Sequence, residues 1–249
     1  MDLRRKLKRN VLSLGSWIQV PNTFIAETMA GSGFEWLAID MEHGLIGIED
    51  VYKLIQVIDL SNCSALVRLN ENDPSTIRRV MDAGAGGIIV PMINTKKDAV
   101  KAAEALKYPP EGKRSFGLGR AHGYGRDFNG YIKRSNKDSV LVVQIEHIDA
   151  VNNLDEILSV KEIDSVIIGP YDLSGSMGIP GKFNDKRFEQ TVRTIIKKVK
   201  ENKKQLGIHI VNANPAELKK RIKQGFRFIG YGMDTVFLQK GIEASKGPK

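Results

Sequence analysis

The stretch Trp36-Leu37-Ala38-Ile39-Asp40-Met41-Glu42-His43-Gly44 changes character abruptly in its middle. Its first four residues are apolar and predict a buried strand. Two carboxylates and an imidazole, from Asp40, Glu42 and His43, then follow at the end of that strand. In barrels of parallel strands, the carboxyl ends of the strands carry the chemistry. A strand that simply runs into a solvated loop would look the same, so the interpretation depends on how the other strands end.

The rest of the chain alternates short apolar runs with helical segments. We predict strands at residues 14–18, 36–40, 65–69, 87–92, 140–146, 165–169, 206–210 and 226–231. Asp73-Pro74 is typical of a helix start, and Gly84 of a helix end. Alternation of this kind indicates a parallel sheet, and eight units fit a single α/β domain, a (β/α)₈ TIM barrel over residues 1–249. The alternative is an open doubly wound sheet, although no Gly-x-Gly-x-x-Gly follows the first strand.

Composition narrows the class of protein. The chain has 249 residues, 41% of them apolar and 27% charged, as in ordinary globular proteins. No apolar run is long enough to span a membrane, and the basic N-terminus leads into no signal-peptide core. The single cysteine, Cys63, fits a reducing compartment. We therefore expect a cytoplasmic protein without a membrane partner.

The net charge of +9 raises the question of nucleic acid. The basic residues form clusters at the N-terminus and on the polar faces of two predicted helices, and no nucleic-acid motif accompanies them. We therefore expect no nucleic-acid partner. A basic surface can still raise the local concentration of anionic substrates.

Several predicted strands end in polar residues that a barrel would gather at one mouth. Besides Asp40, Glu42 and His43, these are Arg68, Gln144, Glu146, Asp172 and His209. Glu146 and Asp172 form a carboxylate pair that suits a hard divalent cation, Mg²⁺ or Mn²⁺, or that pairs with basic residues at the rim. Arg68 offers a donor fork to a carboxylate or an enolate oxygen, or forms an ion pair with Asp40 or Glu42. His43 is a candidate base, or a histidine that caps its loop.

A missing residue type also informs the chemistry. A Schiff-base aldolase of this fold needs a lysine that projects from a strand into the barrel, and none of the predicted strands contains lysine. Metal-assisted enolisation is therefore favoured over covalent amine catalysis.

An ordered set of motifs resembles a known family. The motifs are Asp40-Met41-Glu42-His43, Val67-Arg68 with Asn72-Asp73-Pro74, Val90-Pro91-Met92, Tyr108-Pro109-Pro110-Glu111-Gly112-x-Arg114, Gln144-Ile145-Glu146 and Gly169-Pro170-x-Asp172-Leu173-Ser174-x-Ser176-Met177-Gly178. Together they resemble the HpcH/HpaI family of class II, metal-dependent pyruvate aldolases. The resemblance runs from about Gly15 to Phe237, nearly the whole chain.

The resemblance implies a barrel that exchanges its last helix with a neighbouring subunit and assembles as a homohexamer. It implies that Glu146 and Asp172 bind a divalent metal ion, Mg²⁺ or Mn²⁺, with Co²⁺ as a further candidate. Arg68 would hold the keto oxygen of pyruvate, and His43 would act with Asp82 on a water that shuttles the proton. The pyruvate site would be lined by Gln144, Gly169, Pro170, Tyr171 and Asp172.

The implied reaction is the reversible cleavage of a 4-hydroxy-2-oxo acid to pyruvate and an aldehyde, through a metal-stabilised pyruvate enolate. The main alternative is a lyase related to the citrate lyase β branch that acts on a CoA thioester. A basic scaffold or nucleic-acid binder rests on the net charge alone.

The aldehyde side departs from the family pattern. Tyr171 stands where a small residue is frequent, which indicates a narrower mouth. A long segment at about residues 108–139 is rich in Gly, Pro, Arg and Tyr, and we expect a functional loop with at most a short helix near Tyr131. Within it, Arg120, His122 and Arg126 could bind an acidic or sugar-like aldehyde, or belong to a solvated flexible loop.

Overall fold

A closed barrel of parallel strands organises the chain. The computed structural model describes residues 3–246, and in that part eight strands pair in chain order until β8 meets β1. This confirms the (β/α)₈ barrel and excludes the open sheet. The strands are β1 (Ser13–Ile18), β2 (Trp36–Asp40), β3 (Ser64–Arg68), β4 (Gly87–Val90), β5 (Val140–Ile145), β6 (Ser165–Ile168), β7 (Gln205–Ile210) and β8 (Phe228–Met233).

Helices surround the barrel on the outside. They are α1 (Leu3–Lys8), α2 (Thr23–Ala30), α3 (Ile48–Ile58), α4 (Pro74–Ala83), α5 (Lys96–Leu106), α6 (Phe128–Asp138), α7 (Ile148–Asn152), α8 (Leu154–Leu158), α9 (Pro170–Ser176), α10 (Lys186–Glu201), α11 (Pro215–Gln224) and α12 (Asp234–Ser245). The caps of α4 are as predicted, since the Asp73 side chain accepts from Thr76 N and Gly84 adopts a left-handed conformation with φ of 109°.

Three helices differ from the sequence prediction. The expected short helix near Tyr131 is the full helix α6, and a 3₁₀ turn at Arg120–His122 precedes it. The helices α1 and α9 were not predicted, because both are short and α9 contains glycine and serine rather than a long apolar period. Residues 148–158 form two short helices, α7 and α8, with Asn153 between them.

Two apolar layers stabilise the barrel, one between strands and helices and one in the barrel interior. The interior layer is built around Trp17, Trp36 and Phe228, all of them buried. Trp36 fits because Gly15 has no side chain, and a Cβ at Gly15 would lie 2.0 Å from the indole. The interior is therefore a packed core, and chemistry is confined to the mouth at the carboxyl ends of the strands.

Helix α12 is buried against the barrel at its beginning. Its one buried residue is Asp234, whose Oδ2 accepts hydrogen bonds from the backbone N–H groups of Gln19 and Val20 at 2.9 and 2.8 Å. Farther along, Leu238 and Ile242 are exposed. In residues 3–246, none of the helices combines the length and apolar character that crossing a membrane requires.

Candidate active site

Asp40 and Arg68 form the rigid part of the mouth. They end the neighbouring strands β2 and β3 and are register partners. Arg68 donates from Nε to Asp40 Oδ1 at 2.9 Å and from Nη2 to Asp40 Oδ2 at 2.7 Å. Burial opposes ionisation of Asp40, but the hydrogen bonds and charge of Arg68 outweigh it and lower the pKa of Asp40. The bidentate pair leaves Nη1 as the guanidinium nitrogen that is not committed to Asp40.

Glu42 and His43 lie beside that pair. Arg68 Nη1 is 3.0 Å from Glu42 Oε2, and His43 Nε2 is 3.9 Å from the same oxygen. Glu42 Oε2 is buried without a hydrogen-bond partner in the described structure. The His43 side chain is 59% exposed. The ion-pair alternative for Arg68 is therefore realised with both acids, while the imidazole stays accessible at the mouth.

Glu146 follows β5 and is held from two sides. Its Oε1 accepts from the backbone N–H of Met92 at 2.7 Å, and its Oε2 accepts from the Gln144 side chain. Glu146 is only 2% exposed, and no basic side chain pairs with it in the ranges that the structure covers. A carboxylate held this way, with no basic partner, is positioned to accept a cation.

Asp172 reaches the mouth from the first turn of α9, which starts directly after β6. Asp172 is exposed, and so is Tyr171 beside it. Pro170 is the first residue of α9, where its missing N–H costs no helix hydrogen bond. Gly169, the preceding residue, lies against Glu146 and Gln144. The predicted pyruvate-lining residues are thus neighbours in space.

Four carboxylates share this mouth. Burial raises the pKa of Glu42 to about 7, and the negative charges of Glu146, Asp40 and Asp172 act in the same direction against Arg68. Hard oxygen donors with uncompensated negative charge fit a divalent cation. Over residues 3–246, no group of three or more acid, histidine or cysteine side chains is arranged to ligate one ion. The chain would therefore contribute two ligands, Glu146 and Asp172, and leave positions for substrate and water.

Asp82 does not join the mouth. It lies near the carboxyl end of α4, a helix that starts at the mouth and runs back about 15 Å toward the amino ends of the strands. There Asp82 Oδ1 accepts from Arg114 Nη2 at 2.6 Å. Within one chain, Asp82 and His43 therefore lie at opposite ends of the barrel, and their joint role stays a prediction.

The long loop is also remote from the mouth of its own chain. Arg120 pairs with Asp59 at 2.7 Å and donates to the carbonyl of Ala83 at 3.1 Å. The His122 ring is buried and hydrogen-bonds the loop backbone, with Nδ1 accepting from Gly125 N at 3.0 Å. The segment is therefore neither a solvated flexible loop at Arg120 and His122 nor, within one chain, close enough to the mouth to contact an aldehyde there.

Sequence reasoning missed two supports of the site. Gln19 donates to Asp40 Oδ2 at 3.0 Å, and the backbone N–H of Met92 donates to Glu146. The position of Gln19 directly after β1 was a usable signal, because the end of every barrel strand faces the mouth. A backbone donor such as Met92 leaves no signal in side-chain chemistry.

The barrel and its mouth of carboxylates around one arginine define a (β/α)₈-barrel enzyme. The HpcH/HpaI aldolase/citrate lyase family model matches residues 13–240. The chain belongs to this family, and it is an aldolase, a carbon–carbon lyase.

Individual relatives agree with the family. A 4-hydroxy-2-oxo-heptane-1,7-dioate aldolase of Escherichia coli is 35% identical over 245 residues, 98% of this chain and 92% of its own length. A 2-keto-3-deoxy-L-rhamnonate aldolase of Klebsiella pneumoniae is 34% identical over 242 residues, 96% and 90% of the two chains. A crystal structure of an HpcH/HpaI aldolase/citrate lyase family protein from Burkholderia cenocepacia superposes with a TM-score of 0.93 at 25% identity, covering 98% of this chain and 97% of the other.

Proposed function

We propose that this chain is a divalent-metal-dependent aldolase that reversibly cleaves a 4-hydroxy-2-oxo acid to pyruvate and an aldehyde. The observation that carries the proposal is that Glu146 and Asp172 bring negative charge to the mouth that holds the Arg68 guanidinium, close enough to raise the pKa of Glu42. Cleavage leaves a pyruvate enolate, which needs positive charge and hydrogen-bond donors where the anion forms.

Glu146 and Asp172 would hold the ion, which we propose to be Mg²⁺ or Mn²⁺ with Co²⁺ as a third candidate. When bound, such an ion supplies positive charge that stabilises the enolate. Arg68 would donate from Nη1 to the keto oxygen, because Asp40 occupies its Nε and Nη2. Gln144, Gly169, Pro170 and Tyr171 would shape the space for pyruvate around these charges.

His43 would move the proton of the 4-hydroxyl group through a water. Its imidazole is accessible at the mouth, and its Nε2 lies 3.9 Å from Glu42 Oε2. A role for Asp82 in this transfer requires a second copy of the chain that brings its own Asp82 to this mouth. We accordingly propose a homo-oligomer, with a hexamer as the predicted form, working in the cytoplasm on small molecules without nucleic-acid partners.

Exchange of the methyl protons of pyruvate in D₂O, followed by NMR, tests the proposal without knowledge of the aldehyde. We expect exchange with Mg²⁺, Mn²⁺ or Co²⁺ and none with EDTA. Glu146→Gln and Asp172→Asn should each lose at least about a hundredfold in rate together with metal binding by calorimetry, whereas Glu156→Gln on α8 should behave as wild type. Arg68→Ala should lose exchange at a comparable scale but still bind the ion.

Two results would contradict the proposal. Wild-type exchange by either acid variant in chelator-treated buffer would overturn the site. Absence of exchange with every divalent ion, together with turnover of a CoA thioester, would replace the pyruvate reaction by the thioester alternative.

A further inference from the structure

Two aromatic side chains below the mouth have no part in the reaction as described. Trp17 belongs to β1 and is buried in the barrel interior, and His209 belongs to β7. Both lie in the layer directly beneath Arg68. A stacked indole and imidazole at this place need an explanation, because the interior layer around Trp17 is apolar.

The indole of Trp17 joins Arg68 to His209. The guanidinium carbon of Arg68 lies 4.4 Å from the centroid of the Trp17 ring, which is a cation–π distance. The rings of Trp17 and His209 are stacked, with centroids 5.0 Å apart and planes inclined by 30°. Arg68 is therefore fixed in two ways, edge-on by the Asp40 carboxylate and face-on by the indole.

His209 is itself anchored to the backbone. Its Nε2 lies 3.1 Å from the carbonyl oxygen of Gly232, which can only accept, so Nε2 carries the proton. Burial lowers the pKa of His209 to about 4, and the positive charge of Arg68 acts in the same direction. The ring is therefore neutral near pH 7, and it supports the indole without repelling the guanidinium.

The neighbouring backbone leaves room for this arrangement. A Cβ on Gly230 would lie 2.5 Å from Trp17 Nε1 and 3.4 Å from His209 Cδ2. Gly230 is the register partner of both Gly15 in β1 and His209 in β7. The absence of a side chain there lets the two rings meet between the strands.

We infer that Trp17 and His209 are positioning residues that hold the Arg68 guanidinium in the orientation in which Nη1 faces the substrate. The inference rests on the proposed function in one respect, namely that Nη1 in this orientation donates to the keto oxygen of pyruvate. His209 acts through Trp17, and Trp17 acts through Arg68, so neither needs to contact pyruvate. An arginine on a flexible side chain benefits from such support, because a small misplacement of a catalytic group costs a large factor in rate.

A double-mutant cycle separates positioning from general stability. His209→Ala should lower the rate constant of pyruvate exchange about tenfold with KM for pyruvate changed less than about twofold, because Arg68 acts mainly on the developing enolate. In an Arg68→Ala background, the same substitution should change the rate by less than about twofold. His209→Phe, which keeps a flat ring, should recover part of the loss. An equal loss in both backgrounds would show a merely structural role and overturn the inference.

A second measurement does not depend on turnover. The Nε–H group of Arg68 gives a ¹⁵N NMR signal that can be assigned in the metal-free protein by its loss in Arg68→Ala. The indole ring should shift this signal, and the hydrogen bond to Asp40 should protect the Nε–H proton from exchange with solvent. His209→Ala should move it toward the position of an exposed arginine, and an unchanged signal would overturn the inference. Phe228→Leu is the matched control, because Phe228 stacks on Trp36 at 4.2 Å elsewhere in the interior and should leave the Arg68 signal in place. If wild-type protein shows no exchange, the proposed function fails, while this signal still decides the positioning.

Discussion

Gly169 approaches Glu146 so closely that a methyl group on Gly169 would lie 2.7 Å from Glu146 Oε2 and 2.8 Å from Glu146 Cβ. The φ of Gly169 is −93°, so any residue could adopt its backbone conformation. Glycine is therefore needed here for space and not for φ. The backbone after β6 therefore fixes the position of the Glu146 carboxylate after β5. This contact joins the two loops that carry the predicted metal ligands.

Gly169→Ala should displace the Glu146 carboxylate and weaken metal binding at least about tenfold, with a corresponding loss of pyruvate exchange. Calorimetric titration with Mn²⁺ measures the affinity directly. Gly175→Ala is the matched control, since a Cβ on Gly175 in α9 would meet nothing within 4 Å. That control should keep wild-type affinity and gain up to about 1 kcal/mol in stability from reduced backbone entropy of the unfolded chain. Equal affinity of the two variants would contradict the role of Gly169.

The raised pKa of Glu42 predicts a pH-dependent stability of the metal-free protein. The folded protein keeps this proton up to about pH 7, whereas the ordinary value is 4.5, so the unfolded state releases it first. Stability is then full below pH 4.5 and falls as the pH rises through 7. Glu42→Gln removes the titrating group. The unfolding free energy of this variant minus that of wild type should therefore increase by on the order of 3 kcal/mol from pH 4.5 to pH 8.

Urea unfolding of both proteins at pH 5 and pH 8 in EDTA measures this difference. Glu49→Gln in the first turn of α3 is the control, because Glu49 is exposed and should show no comparable change. Added Mg²⁺ or Mn²⁺ should reduce the gain of Glu42→Gln at pH 8, since a nearby cation lowers the pKa of the carboxyl group. A gain that is independent of pH would show that Glu42 is not the titrating group.

The sequence predicted the barrel and most of its mouth because both depend on local patterns. Apolar runs locate the strands, and the polar residues that end them must share the mouth once the barrel closes. The role of Asp82 came from the resemblance alone, and the direction of α4 places Asp82 at the end of the barrel opposite the mouth of its own chain. The Gly169–Glu146 contact and the Trp17–His209 stack join residues far apart in sequence, so no local pattern could predict them.

Tyr171 should restrict the aldehyde and not pyruvate. Its ring is 63% exposed at the mouth and rests edge-on against Phe183, with centroids 4.9 Å apart. Tyr171→Ala should leave pyruvate exchange within about twofold of wild type, yet raise kcat/KM for bulky aldehydes relative to small ones about tenfold by widening the mouth. Initial rates of aldol addition with a graded series of aldehydes measure this ratio. Phe183→Leu removes the ring that supports Tyr171 but keeps the phenol, and it should change this ratio less. An unchanged ratio in Tyr171→Ala would exclude a role of Tyr171 in aldehyde selection.

Exposed apolar residues on α12 predict that the chain is an oligomer. Leu238 and Ile242 are 62% and 46% exposed, and Phe24 on α2 is 77% exposed. Such residues on adjoining helices are typical of a covered face, and a second copy that exchanges α12 would cover them. By light scattering after gel filtration, wild-type protein should have a mass several times the 27.7 kDa of one chain. Leu238→Glu should reduce that mass, whereas Leu60→Glu, which alters a leucine 82% exposed after α3, should not.

If Asp82 serves the mouth of another copy, pyruvate exchange should fall at least about tenfold with the loss of assembly. A wild-type protein at the mass of one chain would reject both the exchanged helix and the role of Asp82.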